Sequence, residues 1–165
     1  LIETTRLNTT THRRCRPCHQ NQINMEKQKE NMKKPDNIKI NVLEQGIEEL
    51  NYLKEWGKYF AESETKTENG KERVIGGVST SQIRRFFGAI KRIQADFDEM
   101  KGEIILLSPK LAYAVGRDGN KTKLQEFYNT LSPLIEDIKE DKKKFQNFVN
   151  VFEAIVAYHK AAGGN

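Results

Sequence analysis

A chain of 165 residues with 31% charged and 36% hydrophobic side chains can build one modest core, and it holds no eighteen-residue apolar run that could span a membrane. The net charge of +5 decides little: residues 1–24 hold Arg6, Arg13, Arg14 and Arg16 against Glu3 alone, leaving 24 cations against 22 anions in the rest. This balance suits a helical bundle better than a large α/β enzyme. With no apolar signal-peptide region in residues 1–24, a cytoplasmic protein without membrane contact is expected.

The first 24 residues, "LIETTRLNTTTHRRCRPCHQNQIN", lack periodicity and are rich in Thr, Asn and Arg. They precede Met25, whose surroundings look like an ordinary start, so this stretch is expected to be a tag, a read-through or an upstream mis-start. Residues 1–35 are accordingly assigned to a disordered or non-native tail and residues 36–165 to a single helical domain. Within the tail, Cys15-Arg16-Pro17-Cys18-His19 has the spacing of a c-type haem attachment site, and with His12 it offers four zinc ligands. Haem attachment needs export, and a zinc knuckle needs two separated ligand pairs. A chance match is the better account, and no cofactor or metal is expected.

Lys27 to Lys39 is polar and punctuated by Pro35. From Val42 to Phe60 apolar groups then recur at helical spacing (Leu43, Ile47, Leu50, Leu53 or Tyr52, Trp56, Phe60), predicting a first helix. Residues 62–77 have turn formers, alternating charge and three glycines, which predicts a flexible connection with room for a short hairpin. Ser79 followed by Gln82 is a capping box, with Val78 and Ile83 placed for a hydrophobic staple, so the second helix starts at Ser79 and is expected to run to about Lys101. Ser108-Pro109 opens the third, with Leu111, Ala114 and Val115 inward and Asp118-Gly119 ending it. The fourth carries Leu124, Phe127, Tyr128, Leu131, Leu134, Ile135 and Ile138, with a kink or break expected at Pro133. The fifth places Phe145, Phe148, Val149, Phe152, Ile155 and Val156 on one face and stops at Gly163. Five helices without a convincing strand read as an all-α compact bundle behind a disordered N-terminal tail.

Catalytic groups are sparse. His159, the only histidine outside the tail, lies close to the apolar face of the last helix and reads as structural. Glu153 and Lys160 read as a solvated or interface pair. Asp96, Asp98 and Glu99 are too close in sequence to converge on a metal. No phosphate-binding glycine loop or nucleophile elbow occurs, which favours binding over catalysis.

The segment "TSQIRRFFGAIKRIQ" supplies the binding chemistry. At about 100° per residue, Arg84, Arg85, Gly88, Lys91 and Arg92 fall within an arc of roughly 120°, opposite Ile83, Phe86, Phe87, Ile90, Ile93 and Phe97. Cations along one arc can track phosphates, and a glycine among them lets a ligand, or a closely packed neighbouring helix, approach the backbone. Lys110, Tyr113 and Arg117 form a second strip, an aromatic between two cations that suits stacking on a base.

"TSQIRRFFGAIKRIQ", "LLSPKLAYAVGR" and "FVNVFEAIVAYHKAAGG", in this order and separation, resemble the small α-helical subunit of the Csm (type III-A) CRISPR effector complex. "PKLAYAVGR" and "FEAIVAYHK" are the more family-specific parts, and the resemblance covers about residues 42 to 163. It implies a non-catalytic helical bundle in antiviral defence, beside guide RNA and target RNA. It also implies contact with the backbone subunits, the large polymerase-like subunit and neighbouring copies of itself. The matching basic positions, Arg84, Arg85, Lys91, Arg92, Lys110 and Arg117, are the expected phosphate contacts, and Tyr113 a base-stacking candidate. The alternative is a protein-interaction bundle that binds no RNA; an enzyme or haem protein acting through the tail ranks last.

Overall fold

The computed structural model describes residues 34–44 and 48–165. The haem-like motif and Ile47 lie outside them. A 3-10 turn, Val42–Glu44, precedes α1 (Glu48–Ala61), so the first helix starts later than the apolar repeat from Val42 implied. Leu53, not Tyr52, is the inward residue, and Trp56 and Phe60 are wholly buried. The polar stretch before α1 is tied down: the Trp56 indole Nε1 donates to the Asp36 carbonyl at 3.0 Å, and Ile38 is buried.

The connection at 62–77 is an antiparallel hairpin, β1 (Glu64–Glu68) and β2 (Lys71–Ile75), which corrects the expectation of no convincing strand. Asn69 and Gly70 both take positive φ (52° and 74°), the two-residue turn whose twist matches paired strands. The hairpin is anchored to the turn at residues 119–123 rather than loose. Gly76 N donates to the Lys121 carbonyl at 2.9 Å, Lys123 N to the Gly76 carbonyl at 2.8 Å, and the Arg73 guanidinium to the carbonyls of Gly119 and Asn120.

Helix α2 spans Thr80–Ala95, and its Ser79 cap forms as expected: Gln82 N donates to Ser79 Oγ at 3.3 Å and Ser79 N to Gln82 Oε1 at 2.9 Å. Val78 and Ile83 are both buried. The helix stops short of Lys101, at Asp96, which leaves helical geometry at φ −142°, ψ 71°. One α turn (Phe97–Met100) and a 3-10 stretch (Lys101–Leu106) follow. Helix α3 (Leu107–Asp118) ends on left-handed Gly119, with Leu111 buried but Ala114 and Val115 only half-buried. Helix α4 (Leu124–Ile138) runs through Pro133 without a break. Helix α5 (Lys142–Ala161) is capped by Asp141, whose side chain accepts from Lys144 N, and it ends before left-handed Gly163.

Aromatic rings join the helices. Trp56 stacks on Phe60 at 5.1 Å, Phe60 meets Phe127 edge-on at 5.0 Å, Phe127 meets Phe152 at 6.1 Å, and Phe152 meets Phe86 at 5.5 Å. This run links α1, α4, α5 and α2. Helices α1 and α5 approach closely at Gly57, where an added Cβ would lie 2.8 Å from His159 N and 2.9 Å from the Ile155 carbonyl.

Of the four buried polar or charged residues described, Lys123, Thr130, Ser132 and His159, two tie distant elements together. His159 is structural, as its position predicted: it is 1% exposed and its Nε2 lies 2.7 Å from the Val78 carbonyl, so Nε2 carries the proton. Burial lowers its pKa below the ordinary histidine value; the Val78 bond opposes this and Lys160 adds to it. Lys123, which no periodicity flagged, is 3% exposed; its Nζ donates to the Tyr59 carbonyl at 2.8 Å and sits 3.9 Å from the centre of that ring. Burial lowers its pKa too, with Glu64 and Glu62 opposing.

Candidate nucleic-acid interface

A helix that buries Ile83, Phe86, Ala89, Ile90 and Ile93 must turn the remaining positions outward, and in α2 these include every basic residue. Arg84, Arg85, Lys91 and Arg92 are all exposed, with Gly88 between them. A Cβ built on Gly88 meets nothing within 4 Å, so no neighbouring helix explains this glycine among the described residues.

The two edges of the arc differ. On one side stands α5: Lys91 Nζ is ion-paired with Glu153 and donates to Gln94 Oε1 at 2.8 Å. Glu153 therefore pairs with Lys91, not with Lys160, whose Nζ instead donates to the Gly164 carbonyl at 3.2 Å. Both members of the Lys91–Glu153 pair remain more than two-fifths exposed, so water and salt weaken it. Among the described residues, Arg84, Arg85, Arg92 and Arg117 make no ion pair.

On the other side α2 faces α3 across a groove of about 590 Å³. Arg85 and Arg92 stand on one wall, Lys110, Tyr113 and Arg117 on the other. The two strips that the sequence presented separately thus line one groove, while Arg84 and Lys91 lie outside it. Tyr113 is 69% exposed, and the Arg117 guanidinium sits 5.9 Å from its ring centre. Lys110 is held by Glu103 at 3.4 Å in a second exposed pair. Lys121 also lines the groove; it follows the Gly119 turn, where helical spacing no longer assigns a face.

Asp118 is the one carboxylate among the described lining residues. Its oxygens accept from Gln82 Nε2 at 3.1 Å and Thr122 N at 2.8 Å. Gln82 therefore both caps α2 and ties it to the end of α3, which fixes the groove's width at that end. The arrangement is a cationic rim over an apolar floor with one exposed ring.

No curated protein sequence and no solved structure matches this chain. Residues 63–165, which include the hairpin, both walls of the groove and α4 and α5, match the family model described as Csm2 Type III-A. The chain belongs to the Csm2 Type III-A family and is a subunit of the type III-A CRISPR complex.

Proposed function

We propose that this subunit is a non-catalytic RNA guide rail in the cytoplasm. It holds guide and target RNA phosphates through Arg84, Arg85, Arg92, Lys110 and Arg117, with Lys91 as a weaker contributor, and bridges neighbouring subunits and copies of itself in antiviral defence. The observation that carries this reading is the open Gly88 at the centre of an arc whose arginines have no ion-pair partner among the described residues. A buried arginine would need a carboxylate; an exposed row of unpaired guanidinium groups is suited to planar, bidentate phosphate contact. Gly88 costs the helix about 1 kcal/mol relative to alanine, and with no helix packed there among the described residues, close approach by a ligand is the gain that accounts for it.

A structural role is consistent with His159, whose ring is buried and engaged with Val78. Exposed Ile105 and Leu106, at the end of the 3-10 stretch, favour protein contact beside the RNA face. The test is co-purification. The tagged chain is expressed with its partner subunits, and bound RNA is sized after a moderate salt wash. The unaltered chain retains a discrete short RNA as part of the complex. A chain with Arg84, Arg85 and Arg92 changed to Ala assembles but retains less. Equal RNA retention by assembled mutant and unaltered complexes would contradict the proposal.

A further inference from the structure

We propose that the α2–α3 groove receives one unpaired nucleobase of a single-stranded RNA segment, its ring on Tyr113 and its flanking phosphates on the two rows of rim cations. This rests on the phosphate-binding role proposed for α2 and adds the form of RNA that the site takes.

Phosphate contact alone needs only cations. Here the cations stand above a floor of Phe86, Ala89, Leu111 and Ala114. A sugar-phosphate backbone gains little from such a floor, whereas the face of a heterocycle does. A duplex keeps its bases stacked on one another, so it would meet the rim and leave both the floor and Tyr113 unused. A single strand can turn one base inward, and its π-face stacks on an aromatic side chain regardless of sequence. A tyrosine 69% exposed, with the Arg117 guanidinium over its ring at 5.9 Å, offers its remaining exposed surface for that contact.

Charge and dimensions fit the same occupant. Arg85 and Arg92 lie seven residues apart on one wall, and Lys110 and Arg117 seven apart on the other. Each pair is therefore about 10.5 Å apart along its helix axis, which brackets a central ligand with cations on both sides and at both ends. The groove's volume lies within the ordinary range for pockets that bury a small organic group. Asp118, the one carboxylate among the described lining residues, stands against five cations, Arg85, Arg92, Lys110, Arg117 and Lys121.

The experiment uses the full chain and two RNA probes of equal length. One is a single-stranded oligoribonucleotide with a central 2-aminopurine; the other is the same strand annealed to its complement. Binding is followed by anisotropy and by 2-aminopurine fluorescence for the unaltered chain, Tyr113→Ala, Tyr113→Phe, and the triple Arg84→Ala, Arg85→Ala, Arg92→Ala variant. Tyr113→Ala is expected to weaken single-strand binding roughly 5- to 150-fold, the range of one stacked base, while duplex binding changes less than about twofold. Tyr113→Phe should keep both affinities and the fluorescence change on binding.

Equal effects of Tyr113→Ala on both probes, or no effect on either, overturn the base pocket. So does competition by AMP at the oligonucleotide's own concentration, which would make the groove a free-nucleotide site. If the triple variant alone weakens binding, the phosphate-binding role survives without the pocket. If neither probe binds the unaltered chain, or the triple variant binds as well as it does, both proposals fail. Tyr113 is exposed, so thermal melts of its variants should match the unaltered chain.

Discussion

Two mid-helix glycines should respond in opposite ways to the same added methyl group, and the contrast isolates what Gly88 is for. Gly57 lies in the α1–α5 seam, where a Cβ would come within 2.8 Å of His159 N and 2.9 Å of the Ile155 carbonyl. Both are backbone atoms, so the helices must separate, and Gly57→Ala should cost roughly 1–3 kcal/mol as an overpacking change. At Gly88 an added Cβ meets, among the described residues, nothing within 4 Å beyond its own helix. Gly88→Ala therefore meets no steric penalty and gains the ordinary helix advantage of alanine, about 0.5–1 kcal/mol. In a domain of this size that raises Tm by roughly 1–4 °C. If the position is kept open for a phosphate chain, that more stable protein should bind RNA less well. Gly88→Leu, which projects further into the lane, should lose about tenfold in affinity, the value of about one charge-assisted hydrogen bond. Differential scanning calorimetry and RNA titration on the same preparations supply both quantities. Gly88→Ala and Gly88→Leu binding RNA as tightly as the unaltered chain, with the expected rise in Tm for alanine, would refute close approach as the reason for the glycine.

Removing the Ser79 hydroxyl breaks the reciprocal bonds with Gln82; Ser79→Ala should cost about 1 kcal/mol, read as a lower denaturant midpoint with an unchanged slope. Phe152→Ala removes a wholly buried ring that meets Phe86, Phe87, Phe127 and Phe148, and should cost about 3–5 kcal/mol, measurable by urea unfolding. The lowered pKa of His159 gives stability a pH dependence of known sign. Below about pH 6.5 the unfolded histidine binds a proton that the folded one still refuses, so this contribution is full above that pH and is lost as pH falls toward the folded value. Midpoints measured from pH 7.5 down to 5 should decline, and His159→Gln should flatten the decline.

The helices were legible because each carries its own local signals. The Ser79–Gln82 box fixed the start of α2, and Gly119 and Gly163 took the left-handed geometry that ends α3 and closes α5. The hairpin was only half legible. Asn69-Gly70 is a strong turn signal, but strands of Glu, Lys, Thr and Arg have too little apolar alternation to announce themselves. The early end of α2 at Asp96 was hidden because the apolar period continues to Phe97, which is buried beside Phe145. The site was legible as faces but not as an assembly. Helical spacing placed Arg85 and Arg92 on one arc and Lys110, Tyr113 and Arg117 on another, yet only the packing of α2 against α3 joins them across a groove. Lys91 shows the converse, because its partner Glu153 lies 62 residues away on another helix. Lys123 was unreadable for the same reason: its carbonyl and ring partners both belong to Tyr59.

A guide-rail role requires guanidinium groups on α2 to meet RNA phosphates, and the salt dependence of binding tests this most directly. Each single-strand phosphate that is no longer neutralised should lower the slope of log K against log salt by about 0.7. Changing Arg84, Arg85 and Arg92 to Ala should therefore flatten the slope by about 2, whereas Lys91→Ala, which removes a cation already paired with Glu153, should change it by less than one arginine does. A triple variant that folds normally yet keeps the full slope would contradict the role.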